Sequence, residues 1–317
     1  MSSGSNGKMH DDEVATSVAL VRQLLAAQFP QWAALPLAPV PSAGTDNALY
    51  QLGDELVVRM PRIQWAAGDV AHEHRWLPRL APRLPLAIPA PLALGYPGGG
   101  YPWPWAIYRW LPGADATQTP VADPRQFARD LANFIRALQR IETTGWPPPE
   151  PERCSRAEPL ATRDAQTRAC IAELESLGLH DAATSAAVMA VWDAALAEPL
   201  YSGPPIWAHA DLSPLNFIVR DGRLSAIIDW GGLGVGEPAC DLIPAWSAFS
   251  GEAREVFRAA IAVDDATWAR GRGLALSIAL IALPYYHITN PDLASLARHS
   301  IAEILTETRN GAGASFD

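Results

Sequence analysis

The apolar positions of this chain change their period along its length. Between Asp12 and Gln28, Val14, Val18, Val21, Leu24 and Leu25 recur at helical spacing and predict an opening helix. Leu35–Pro41, Ala48–Leu52 and Glu55–Met60 then read as strands, with Gly53-Asp54 as the turn between the last two. A helix is expected over roughly Gly68 to Leu80. After Ile88-Pro89-Ala90-Pro91 come a strand near Leu92–Gly95, a turn at Pro97-Gly98-Gly99-Gly100, and an apolar strand over Trp105–Trp110. Past Leu111-Pro112-Gly113 the pattern becomes mainly helical. Phe127, Leu131, Phe134, Ile135 and Leu138 mark one helical face; Ala165–Leu177, Ala183–Leu196, Ala253–Ile261 and Leu274–Leu283 read as further helices. One hairpin interrupts them: Asn216–Val219, a tight turn at Asp221-Gly222, and a return over Leu224–Ile228. Pro147-Pro148-Pro149 reads as a rigid linker, and no internal repeat stands out.

This order predicts an α+β chain. A small antiparallel sheet with one or two helices occupies residues 1–110, and a mainly helical region occupies 111–317. Met1–Lys8 is polar and Gly/Ser-rich, and is expected to be an expression remnant before Met9 rather than a signal peptide. The longest apolar run, Leu274–Leu283, falls well short of the roughly 20 residues a membrane span needs. With 317 residues and 49% hydrophobic content, the chain can fill substantial cores. Cys154, Cys170 and Cys240 are unpatterned, which points to reduced thiols and a cytoplasmic location rather than disulfides or zinc.

Charge refines this picture. Residues 1–110 hold 8 acidic and 8 basic side chains, whereas 111–317 hold 26 acidic and 16 basic, so the net charge of −10 belongs to the second part. Nucleic acid is a poor partner for such a surface, and a cationic small molecule is a better one. Acidic excess that serves only solubility explains the same numbers.

The strongest chemical signal lies between Ile206 and Gly232, in the run IWAHADLSPLNFIVRDGRLSAIIDWGG. Phe217, Ile218, Val219, Ile227 and Ile228 anchor its hairpin in a core. Closing the hairpin would bring Asn216 close to Asp229, with Asp211 one loop away. These hard-oxygen groups suit Mg²⁺, which takes oxygen donors and keeps waters and substrate phosphates as its other ligands. Singly, Asp211 and Asn216 would read as turn or loop residues; as an ordered set with His209, Asp229 and Asp241 they read as functional. In that set His209 is an organiser of the loop backbone, and Asp241 a partner for loop N–H groups. Upstream, Ser42-Ala43-Gly44-Thr45-Asp46-Asn47 is small and polar between two strands, so backbone N–H groups could approach phosphate there. An ordinary hairpin loop accounts for it equally well.

His209-Ala210-Asp211-Leu212-Ser213-Pro214-Leu215-Asn216 resembles the catalytic loop of protein kinases. With Ile228-Asp229-Trp230 and Gly236-Glu237-Pro238-Ala239-Cys240-Asp241-Leu242, it is still more similar to the aminoglycoside phosphotransferase family, across roughly 35 residues. The resemblance implies a two-lobed protein-kinase-like fold, with an N-terminal nucleotide-binding lobe (1–110), a C-terminal catalytic and substrate-binding lobe (111–317) and the nucleotide between them. It implies Asp211 as catalytic base and Asn216 and Asp229 as Mg²⁺ ligands. Ser42, Gly44 and Thr45 would belong to the nucleotide-covering loop, and backbone near Tyr108 to Trp110 would meet the purine of ATP or GTP. Where protein kinases carry a phosphate-binding Lys, this chain has Arg59, with Glu73 as its expected partner and Arg62 as a competitor for the phosphate. In that family, acceptor contacts come from C-terminal helices, where Asp264, Asp265, Trp268 and Tyr285 are candidates.

The implied activity is transfer of the γ-phosphate of ATP or GTP to a hydroxyl of an antibiotic, an aminoglycoside first. A macrolide phosphotransferase, a metabolic small-molecule kinase and a nucleotide-binding pseudoenzyme are the alternatives. The implied partners are a nucleoside triphosphate and a cationic small molecule, with no nucleic acid and no membrane, and the chain is expected to be a monomer or weak dimer.

Overall fold

A computed structural model of the chain describes residues 13–41, 46–143, 156 and 158–313. Met1–Lys8, Pro147–Pro149 and Cys154 lie outside them. The chain divides into two compact units: one comprises Met1–Pro82, Ala87–Gly113 and Ala226–Gly231, the other Arg83–Leu86, Ala114–Ser225 and Gly232–Asp317.

The first unit opens with α1 (Val18–Gln28), followed by strands β1 (Leu37–Val40), β2 (Asn47–Leu52) and β3 (Leu56–Pro61), then α2 (Asp69–Leu80), β4 (Pro91–Gly95) and β5 (Trp105–Arg109). The five strands form an antiparallel sheet in the order β1-β2-β3-β5-β4. The opening helix starts at Val18 rather than near Asp12, because Ser17 caps it by accepting the Leu20 N–H at 3.1 Å. Ahead of that cap, Val14 donates its N–H to the Arg62 carbonyl at 2.8 Å and so lies outside the helix.

Strand alternation sorts the sheet's two faces. Val58, Met60, Trp105 and Ile107 share one core with Val21, Leu24 and Leu25 of α1. Ala106 and Tyr108 point to the opposite face, where they pack with Val70 of α2. β5 is therefore buried on both sides, which explains its unbroken apolar run. The β3–β5 register sets Val57 against Tyr108 and Arg59 against Ala106, so Arg59 also emerges on the α2 face.

The second unit begins with β6 (Ala114–Asp115) and helices α3 (Pro124–Gln139), α4 (Asp164–Ser176) and α5 (Ala182–Ala197). Strands β7 (Ile206–Ala208), β8 (Phe217–Arg220), β9 (Arg223–Ile227) and β10 (Gly234–Gly236) follow, then α6 (Pro244–Ser247), α7 (Gly251–Ile261), α8 (Asp265–Tyr286) and α9 (Pro291–Gly313). β6, β8 and β9 lie side by side in one sheet, and β7 pairs antiparallel with β10. The apolar face read on α3 is buried in full, and Phe127 meets Phe217 edge-on at 5.7 Å. Asp221 and Gly222 both adopt positive φ (52° and 73°), as a tight hairpin turn requires.

Two corrections concern helices. The predicted Leu274–Leu283 segment is the middle of the much longer α8, and α9 has no counterpart in the sequence reading. α8 is buried on several sides, so its apolar residues show no clear period. Its Gly271 and Gly273 look like breaks, yet they serve close packing: a Cβ there would lie 2.7 Å from Leu242 and 2.4 Å from Ala195. Among the described residues, no helix is long and apolar enough to cross a membrane.

Candidate active site

In the second unit, β7 delivers the chain into the loop His209–Leu215. Ala210 adopts a left-handed conformation (φ 62°), uncommon for a residue with a Cβ and costing roughly 1–2 kcal/mol. The fully buried Asp241 holds that shape: its Oδ2 accepts the His209 N–H at 3.0 Å and its Oδ1 the Ala210 N–H at 2.7 Å. Burial pushes the Asp241 carboxyl up to about 6, against the pull of these two N–H donors. His209 is also buried. Its Nδ1 accepts the Asp211 N–H at 3.2 Å, which requires the neutral Nε2–H tautomer.

The loop ends in a single 3₁₀ turn, Pro214–Asn216, and not in a strand that starts at Asn216 as the pattern suggested; Pro214 sits at its start, where it favours helical φ. Asn216 Nδ2 donates to the Asp211 carbonyl at 2.7 Å. With its nitrogen so committed, the amide presents Oδ1 as the atom it can offer a cation. Asp211 itself keeps 36% of its side chain exposed. Arg156, absent from the sequence reading, donates from Nη1 to the Ala210 carbonyl at 2.8 Å and to Asp211 Oδ1. It lies in a stretch rich in Pro, Glu and Arg, where no period or motif marks it.

In the first unit, Arg59 Nη1 pairs with Glu73 and its Nη2 reaches Asp229 Oδ1 at 3.2 Å. Burial alone would lower the Arg59 pKa, but the charges of Glu73 and Asp229 outweigh it and hold the guanidinium well above its ordinary value. Glu73 is fully buried. It also accepts the Tyr108 hydroxyl at 2.7 Å and the Trp230 N–H at 3.0 Å, so one carboxylate ties together α2, β3, β5 and the segment around Asp229. Burial first, and the Glu73 charge second, push the Tyr108 phenol well up and keep it protonated. Asp229 is left-handed (φ 62°), a conformation Asp tolerates, and 45% of its side chain is exposed. Gly231 follows for want of space: a Cβ there would lie 2.6 Å from the Asp69 carboxylate.

The remaining candidates fall as follows. Ser42, Gly44 and Thr45 lie outside the described residues. The Tyr108 side chain is occupied inside the first unit, and the Trp110 N–H donates to the Glu55 carbonyl at 2.7 Å. Arg62 pairs with Glu13. Asp264 caps α8 by accepting the Thr267 N–H at 2.6 Å, which holds its carboxyl below the usual range. Asp265 pairs with Arg258 at 2.7 Å. Trp268 is buried, tilted against Trp246 and bonded to Glu307 at 3.1 Å, while Tyr285 is exposed beside Tyr286. Strand alternation in β5 could have assigned Tyr108 to the Arg59 face; no comparable signal existed for Trp268.

A sequence profile of the phosphotransferase enzyme family (APH) matches residues 38–274. No curated protein sequence matches the chain at a significant level. Among solved structures, wild-type aminoglycoside 2'-phosphotransferase-IIIa bound to GDP is similar with a TM-score of 0.70 and 18% identity, over 92% of this chain and 100% of that one. The GDP and kanamycin complex of APH(2")-IIia gives 0.67 and 18%, over 90% and 98%. A macrolide 2'-phosphotransferase from Brachybacterium faecium gives 0.55 and 21%, over 90% and 97%. At these identities the likeness carries the fold, which is kinase-like.

Proposed function

The chain belongs to the phosphotransferase enzyme family, and from that premise we propose that it moves the γ-phosphate of ATP or GTP to a hydroxyl of a cationic small molecule, an aminoglycoside first. The observation that carries the reading is the built loop around Asp211: a partly exposed carboxylate whose own backbone is held by His209 and Asn216, with Asp241 holding the Ala210 N–H just before it. Asp211 accepts and orients the proton of the acceptor hydroxyl. In a loose phosphoryl-transfer transition state little proton transfer is needed early, so orientation contributes more than basicity.

Asn216 and Asp229 would hold Mg²⁺. The donor set fits: an amide oxygen whose nitrogen is already committed, and a carboxylate that is half exposed. When bound, Mg²⁺ neutralises charge on the β- and γ-phosphates. Arg59 neutralises part of the charge on Asp229 and Glu73, and positions both; Glu73 in turn holds the Trp230 N–H. The acidic excess of residues 111–317 attracts a cationic acceptor. A cytoplasmic location suits a nucleotide-dependent reaction.

A macrolide acceptor is the second reading, favoured by the similarity to a macrolide 2'-phosphotransferase. Phosphate transfer from ATP and from GTP, assayed against aminoglycosides, macrolides and simple alcohols, separates the acceptor classes. Transfer to none of them, with nucleotide still bound, would overturn the enzyme reading. Asp211→Ala is expected to lose turnover, by roughly a hundredfold or more, while nucleotide binding survives; wild-type turnover in that variant would reject Asp211 as the base.

A further inference from the structure

The loop motif accounts for Asp241, His209 and Asn216, but not for the cation seated on Asp211. Arg156 lies far upstream of that loop in the chain. Its Nη1 donates both to the Ala210 carbonyl at 2.8 Å and to Asp211 Oδ1. Its own carbonyl accepts the Cys240 Sγ–H at 3.3 Å. Cys240 is the neighbour of Asp241, which holds the Ala210 N–H at 2.7 Å. The contacts therefore close a ring through Asp241, Ala210, Arg156 and Cys240. Both ends of the strained Ala210 peptide region are pinned within it, and the Asp211 carboxylate is tied to the same ring by one oxygen.

From this geometry we propose that Arg156 is the positioning residue for Asp211, fixing which carboxylate oxygen faces the acceptor hydroxyl. The inference rests on the reading of Asp211 as the base. Nη1 occupies Oδ1, so Oδ2 is the oxygen presented to the acceptor. A carboxylate without that tie rotates about its Cβ–Cγ bond, and both oxygens sample orientations that do not meet the hydroxyl. A misplacement of about 1 Å in such a group costs on the order of a hundredfold in rate. Arg156 sits there against repulsion: the nearby Arg163 is lowered first by burial and then by the positive charge of Arg156. Its pairing with Asp211 offsets that like-charge cost. Arg156 acts on the acceptor side of the reaction, so nucleotide affinity does not depend on it.

The test uses the full chain with Mg²⁺, ATP or GTP, and an acceptor found in the panel; phosphate release to water serves as an acceptor-independent second readout. Arg156→Ala is expected to lower kcat roughly a hundredfold while KM for the nucleotide stays within about threefold. Arg156→Lys, whose ammonium can make both contacts, should recover roughly tenfold of that loss. Arg156→Ala combined with Asp211→Ala should be no slower than Asp211→Ala alone, because the residue acts through the carboxylate. Should Arg156→Ala not fold, Arg156→Gln replaces it with the same direction of effect on kcat. Unchanged kcat in these variants, a loss confined to nucleotide KM, or additive losses in the double variant would each overturn the proposal. Wild-type turnover in Asp211→Ala would instead overturn the base assignment, and this inference with it.

Discussion

Asp241 shows how one buried side chain sets a stability profile. The folded chain holds its proton up to about pH 6, whereas an exposed aspartate releases it near 3.8. The group therefore favours folding fully below the lower value, and that contribution fades as pH rises through the higher one. Asp241→Asn cannot titrate. Its carboxamide also has one oxygen to offer where two N–H groups need acceptors. The stability advantage of wild type over Asp241→Asn is expected to shrink between about pH 4 and 7, by up to roughly 3 kcal/mol. Urea unfolding of both proteins across that range checks the sign; an advantage that grows with pH would contradict it. The partnership of Asp241 with the loop was legible from its place in the motif. Strand alternation could place Tyr108 on the Arg59 face, but the bond of its hydroxyl to Glu73 was not legible, because the two residues lie on different elements.

A helix that buries one face announced itself, and a helix that buries several did not. α3 follows a clean period because solvent lies on one side, while β5, buried on both, showed as a short unbroken apolar run. α8 packs on many sides, and its glycines mimic breakers. Replacing Gly273 by Ala would gain about 1 kcal/mol of helix propensity. The new Cβ, however, would lie 2.4 Å from the Ala195 Cβ and 3.1 Å from Leu160 Cδ1. Overpacking of this kind costs about 1–3 kcal/mol, and the Ala195 Cβ, fixed to its backbone, cannot swing aside. The clash wins, so Gly273→Ala is expected to unfold at lower urea than wild type. An equal or higher midpoint would show that α8 and α5 separate easily. Arg270 ties the same helix to Glu237 at 2.7 Å, within the run that carries Asp241, so loosening α8 should also be felt in the loop around Asp211.

At the scale of the whole molecule, Arg59, Glu73 and Asp229 belong to one unit, and Asp211, Asn216 and Arg156 to the other. A nucleotide that binds only the folded chain adds stability by mass action, about 2.7 kcal/mol at a hundredfold excess over Kd. Mg²⁺ with ATP or GTP is therefore expected to raise the unfolding temperature, and chelation to reverse most of the gain. Asp229→Ala should lose the Mg²⁺-dependent part; an unchanged shift in that variant would count against its role as a ligand. The sequence alone determined the α+β class, the order of the first sheet and most of the helices after it, and the ordered loop residues whose resemblance points to phosphoryl transfer. These were readable because periodicity, turn chemistry and motif spacing are properties of neighbours along the chain. Tertiary structure decided the rest. Ala226–Gly231 packs with the first unit although it lies far downstream, through Arg59, Glu73 and the Ala87 carbonyl, which accepts the Ile227 N–H at 3.0 Å. Arg156 meets Asp211 in the same way, across a long separation in sequence. Such pairings depend on which remote segments share a volume, and no local pattern of apolar and polar residues encodes that.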